Sequence, residues 1–91
     1  SENYFEKAKE ALKCYLKVDD EYIVFHKEEL ELDISDEICE FVEQMKIEEI
    51  SLWAGENLIS VDFMINPEES DQILCVKFND SLEVESVDWE S

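Results

Sequence analysis

Apolar positions recur along this chain in two distinct periods. Over residues 2–17, Tyr4, Phe5, Ala8, Leu12, Tyr15 and Leu16 fall on one stripe at helical spacing, which predicts an amphipathic helix. Glu2, Glu6 and Glu10 lead this segment, Lys13 and Lys17 close it, and that order suits the helix dipole. Val18-Asp19-Asp20 ends it. Glu21 to Phe25 is rich in strand formers, and Leu30 to Ile34 alternates apolar and polar residues strictly. Together they predict a hairpin with His26 to Glu29 as its turn. A helix through 26–32 is the competing assignment.

Ser35 reads as the N-cap of a second helix over about 36–46, with Asp36 and Glu37 in its first turn. Ile34 and Cys39 stand at the positions of a hydrophobic staple, and Ile38, Phe41, Val42 and Met45 form the inward stripe. The remainder has a period of two. Residues 48–54 place Ile50, Leu52 and Ala54 on one face, with Trp53 on the other. Residues 58–65 turn Ile59, Val61, Phe63 and Ile65 inward, and residues 72–79 do the same with Leu74, Val76 and Phe78. In residues 82–89 the parity changes between Leu82 and Val84 and the pair Val87 and Trp89, so a bulge near Glu85-Ser86 is expected.

The expected fold class is therefore α+β: an antiparallel β-sheet, in the order α-β-β-α-β-β-β-β, with two helices packed on one face. A chain of 91 residues makes one domain, 1–91, and 45% hydrophobic residues suffice for a core. A single Gly and a single Pro leave little material for flexible linkers. Ser1 to Phe5 has neither the basic nor the apolar stretch of a secretory leader, and no run approaches a membrane span. The three cysteines, Cys14, Cys39 and Cys75, are 25 and 36 residues apart, each among apolar neighbours. That usage fits reduced thiols and a cytoplasmic setting.

Charge changes the picture most. There are 26 Asp and Glu against 7 basic residues, every one a lysine, for a net charge of −19. Residues 47–91 hold 12 acids and one lysine, Lys77, a net of −11. Such a field repels nucleic acid and anionic membrane and draws in cationic proteins. Direct nucleic-acid binding and membrane association are therefore not expected.

Catalytic chemistry finds little support. His26 is the single histidine, has no nucleophile signature beside it, and reads as a solvated turn residue. No CxxC or HxxxH spacing offers a metal site, no EF-hand loop is present, and one glycine cannot build a phosphate loop. No enzyme activity, cofactor or metal is expected. Trp53 and Trp89, the latter bordered by Asp88 and Glu90, have the character of binding hot spots for a basic protein. The alternative for each is that it covers an edge of the core. The candidate contact surface comprises Trp53, Glu56, Asp62, Glu68, Glu69, Asp71, Asp80 and Trp89.

In size, acidity, α+β pattern and lack of catalytic groups, the chain resembles bacterial immunity proteins, the small cytosolic antidotes to toxins. The resemblance implies a cognate basic toxin, foremost a nuclease, bound about one-to-one and neutralised by occlusion of its cationic surface. Three alternatives stand beside it. One is a nucleic-acid mimic of the anti-restriction or anti-CRISPR type, another an enzyme or metal-binding domain. The last is an acidic bacterial domain whose charge serves only solubility or a salt-rich host. Residues 82–89, as an edge strand, also leave room for a dimer.

Overall fold

A computed structural model describes residues 2–91. Helix α1 is Glu2–Val18, and its stripe behaves as its spacing dictates, with Ala8, Leu12 and Leu16 fully buried. Helix α2 begins at Glu21–Val24 and widens into a π-helical turn over Phe25–Glu29. Helix α3 is Ile38–Gln44. The sheet follows: β1 Lys46–Trp53, β2 Leu58–Met64, β3 Ile73–Phe78 and β4 Val84–Glu90. Its spatial order is β1-β2-β3-β4, every pair antiparallel. Each strand hydrogen-bonds to its sequence neighbour, so connections of a few residues suffice.

Helix α1 packs on α3, β3 and β4. The core lies between this helical layer and one face of the sheet, where Val61, Phe63, Leu74, Val76 and Phe78 meet Leu12, Leu16, Tyr22, Phe41 and Val42. In β4 the parity change is accommodated by an irregular register between Lys77 and Phe78, which pair with Ser86 and Val84. Val84, Val87 and Trp89 consequently all reach the core side.

The predicted hairpin at 21–34 does not form. Tyr22, Ile23 and His26 are buried at helical spacing, so the run of strand formers supplies one side of a short helix. Tertiary burial overrides β-propensity here, as it often does for short apolar runs. The alternation in Leu30 to Ile34 does mark a one-sided segment: Leu30, Leu32 and Ile34 are half-buried while Glu31 and Asp33 are exposed, but Leu30 still closes the π-helical turn and Glu31 has a left-handed φ of 53°. That segment joins no sheet and is tied down by Lys27, whose ammonium donates to the Ile34 carbonyl at 2.6 Å. The architecture is thus three helices and four strands in the order α-α-α-β-β-β-β.

The second helix starts later than its sequence suggests. Glu37 is the N-cap, its carboxylate accepting from the Glu40 N–H at 2.9 Å. Ser35 instead accepts from the Glu37 N–H and donates to the Glu40 carboxylate at 2.6 Å. Cys39 is exposed, so the expected staple with Ile34 is not made.

Near the start of α1, the ring of Tyr4 meets Phe78 edge-on, with centroids 4.6 Å apart. Its hydroxyl is buried and has no hydrogen-bond partner among the described residues. Burial also raises its pKa above the usual phenol value. A buried polar group without a partner costs roughly 1–3 kcal/mol. Tyr4→Phe keeps the ring packing and removes the hydroxyl. It is expected to raise stability by about 1 kcal/mol, read as a higher urea midpoint with an unchanged m-value.

Candidate functional site

The helices cover one face of the sheet; on the opposite, open face Ser60, Met64 and Cys75 are buried beneath their neighbours' side chains. Period-2 alternation and the strand register fix what it displays. Glu49 stands opposite Asp62, Asp62 opposite Cys75, and Cys75 opposite Asp88. Three carboxylates and one thiol therefore form a line straight across all four strands. In the neighbouring line Ser51, Ser60, Lys77 and Ser86 face one another. Trp53 lies on this same open side, and its indole N–H donates to the Ser60 hydroxyl at 3.0 Å. Trp53 is 52% exposed, so its hydrogen bond is satisfied within the protein while much of its apolar ring is offered to solvent. Trp53, Glu56, Leu58 and Lys77 line a shallow dip at the edge of this face.

The lysines are largely occupied within the fold. Lys9 pairs with Glu43 at 3.3 Å, Lys13 with Glu10 at 3.4 Å, and Lys77 with Asp88 at 3.5 Å and Glu90 at 4.0 Å. Lys7 reaches the Leu82 carbonyl, and Lys27 that of Ile34. Asp88 foremost, with Cys75 and Glu90 adding to it, holds the Lys77 ammonium above its usual pKa. Among the described residues, ion pairs engage four carboxylates, Glu10, Glu43, Asp88 and Glu90.

The eight residues expected to form one contact surface are distributed over separate places. Trp53 and Asp62 share the open face, with Glu56 in the turn Ala54–Glu56 that follows β1. Asp80 lies in the turn after β3, at the same end of the sheet as Glu56. Glu68, Glu69 and Asp71 occupy the β2–β3 loop at the opposite end. There the Asn66 side chain accepts from the Glu68 N–H, and the Asn66 carbonyl accepts from the N–H groups of Glu69 and Ser70.

Trp89 is not an exposed anchor. It sits on the core side opposite Leu74, its ring centroid 5.3 Å from that of Tyr22, and its indole N–H donates to the Gln72 side-chain oxygen at 2.8 Å. The carboxylates flanking it in sequence point to the other face, which is the ordinary consequence of strand alternation. Glu49 was not singled out by the sequence, and Glu90 only as a neighbour of Trp89. Only the register shows that they join the open face.

His26 also departs from expectation. It is fully buried rather than solvated, with Nδ1 at 2.7 Å from the Tyr22 carbonyl and Nε2 at 2.7 Å from the Ser70 hydroxyl. A carbonyl can only accept, so Nδ1 carries the proton and Nε2 accepts from Ser70. This is the spacing of a nucleophile and its base, but Ser70 is 7% exposed and its oxygen also accepts from the Gln72 N–H. The pair ties the π-helical turn to the β2–β3 loop. Tyr22 braces the same junction, its hydroxyl donating to the Gln72 carbonyl at 2.6 Å. Among the described residues, no group of three or more His, Cys, Asp or Glu side chains is arranged to hold a metal ion. Among the described residues, no helix is long and apolar enough to cross a membrane. No protein family, curated protein or solved structure matches the chain.

Two measurements test this chemistry. Burial pushes the Cys75 thiol up to about 12, with Asp62 adding to the effect, whereas Cys14 and Cys39 are exposed. Two thiols are expected to react with a disulfide reagent in the native protein, and the third only on unfolding. Burial lowers the His26 pKa from its ordinary value near 6.5, so the folded state favours the neutral ring. Its contribution to stability is complete above about pH 6.5. As pH falls below that value the unfolded chain takes up the proton first, and the contribution declines until the folded pKa is passed. Urea midpoints should therefore fall between pH 7.5 and pH 5.5, and His26→Gln should flatten that slope.

Proposed function

We propose that this chain is an immunity-type inhibitor, an acidic protein that neutralises a basic protein toxin, foremost a nuclease, in a near one-to-one complex. It acts by covering the toxin's cationic surface, carries out no catalytic step, requires no cofactor and works in the bacterial cytoplasm. The observation that carries this reading is the disposition of charge: the lysines are largely occupied inside the fold, while Glu49 and Glu56 are exposed and Asp62 half-buried beside an exposed Trp53. Long-range attraction of this kind raises association rates toward roughly 10⁸–10⁹ M⁻¹s⁻¹ at low salt. Residence requires anchors that desolvate well, and Trp is among the residue types that do so most often.

One observation favours a second reading, a nucleic-acid mimic. A net charge of −19 along a longest extent of 39 Å is about one charge per 2 Å. Duplex DNA carries one per about 1.7 Å. A mimic competes with DNA for the groove of a DNA-binding protein, whereas an inhibitor of the first kind blocks one toxin regardless of DNA. Competition with duplex DNA for the isolated partner separates the two.

The site is tested by charge reversal on the open face and, separately, in the β2–β3 loop. Glu49→Lys with Asp62→Lys is expected to slow association at low salt by roughly tenfold or more and to flatten the salt dependence. Reversal of Glu68, Glu69 and Asp71 to Lys, in the loop beyond the end of β2, is expected to act more weakly. Equal losses from the two variants, measured by stopped-flow or surface binding, would show a diffuse field and exclude the open face as the site.

A further inference from the structure

Strand β1 carries a feature that the acidic surface does not explain. Its residues alternate as a half-buried strand does, yet the side turned toward the helical layer is uncovered. Ile47, Ile50 and Leu52 stand opposite the core residues Phe63, Val61 and Ile59 but are 39%, 52% and 75% exposed. Helix α1 lies over β3 and β4, so cover thins toward β1. The strand is also a sheet edge, with backbone N–H and C=O groups on its outer side free to pair. The opposite edge differs: Val84, Val87 and Trp89 of β4 are packed against the core.

Resting on the reading of this chain as a binder of cationic proteins, we propose that β1 receives a cationic, strand-forming segment of the partner, which joins the sheet as a fifth strand. On the helix side its apolar side chains continue the core over Ile47, Ile50 and Leu52. On the open side its arginine or lysine side chains meet Glu49 and the ring of Trp53, extending the carboxylate line by one cation. The chemistry of β1 selects this occupant over a second copy. Glu48 and Glu49 sit together at a register shift in the edge, and a copy brings its own charge of −19. Strand β4 offers Glu85, Asp88 and Glu90 and no cation. Neither edge of this chain supplies the positive strand that β1 is built to accept.

The test uses the full chain and two blocked octapeptides of equal charge, one alternating arginine with valine and one alternating arginine with serine. Amide hydrogen exchange and titration by NMR at low salt report site and affinity. The expected result is saturable one-to-one binding of the arginine–valine peptide, with slowed exchange in residues 49–53 and at least roughly tenfold weaker binding of the arginine–serine peptide. Ile50→Ala with Leu52→Ala should lose about tenfold in affinity for the first peptide. Val18→Ala, at an exposed apolar residue closing α1, should lose none. Equal binding of both peptides without protection of β1 overturns the docking strand but leaves the cationic-partner reading standing. Absence of binding by either peptide overturns both. A dimer of the chain at 0.15 M salt that the Ile50→Ala, Leu52→Ala variant dissolves would give the edge to a second copy and also overturn the proposal.

Discussion

A chain with a net charge of −19 stays compact only if its apolar burial outweighs the mutual repulsion of its carboxylates. Here that burial is concentrated between α1, α2 and α3 on one side and β2, β3 and β4 on the other. The lysines reinforce the same layer, four of the seven lying in α1. Cohesion and most of the lysines thus gather at the helical side, while Lys77 offsets Asp88 and Glu90 on the open face. What remains for the sheet's open face and its β1 edge is negative charge and surface the core did not use. Stability and the proposed binding activity are in this sense two results of one partition.

Within that frame, the junction of Tyr22, His26, Ser70, Gln72 and Trp89 decides where the loops sit. Two side chains from α2 reach the β2–β3 loop, through Tyr22 to Gln72 and His26 to Ser70, and Trp89 closes on Gln72 from β4. Each donor meets an acceptor, as buried polar groups require. Helix α2 is too short to be stable alone, so these bonds and the burial of Tyr22 and Ile23 hold it on the domain. The histidine whose lone presence in the sequence suggested a solvent-exposed turn serves as an internal strut.

Periodicity was legible wherever an element is long and one-sided. Helix α1, the stripe Phe41, Val42 and Met45, the strands β2 and β3, and the parity change in β4 all stand near where the pattern put them. Failure came where local pattern and tertiary context diverge. Glu21 to Phe25 has strand composition, yet a segment this short takes the form of whatever surface it packs against. Leu30 to Ile34 alternates because one side faces the protein, and a ladder partner is not needed for that. The inward set of β1 was read correctly as a face, opposite Trp53, but no spacing within β1 tells how far the helical layer extends across the sheet. The residues of the candidate surface are spread apart for a similar reason. Residues adjacent in sequence were grouped, whereas strand alternation sends Trp89 to the core and Asp88 and Glu90 to the other side.

The uncovered stripe on β1 is best understood against the usual cost of such an edge. Exposed apolar edge strands invite self-association, and folded proteins blunt them with charge, bulges or short length. Strand β1 has the first two, in Glu48 and Glu49 and the register shift between Ile47 and Glu49, but keeps eight residues. Beyond Lys46 at its start the charge on β1 is negative, and that is a selective device: it repels every copy of the same acidic chain while attracting a strand of opposite sign. A lysine at those positions would protect the edge equally well from aggregation and would repel a basic partner. Acids there, next to Ile50 and Leu52, therefore suit an edge that excludes itself and admits a cationic strand.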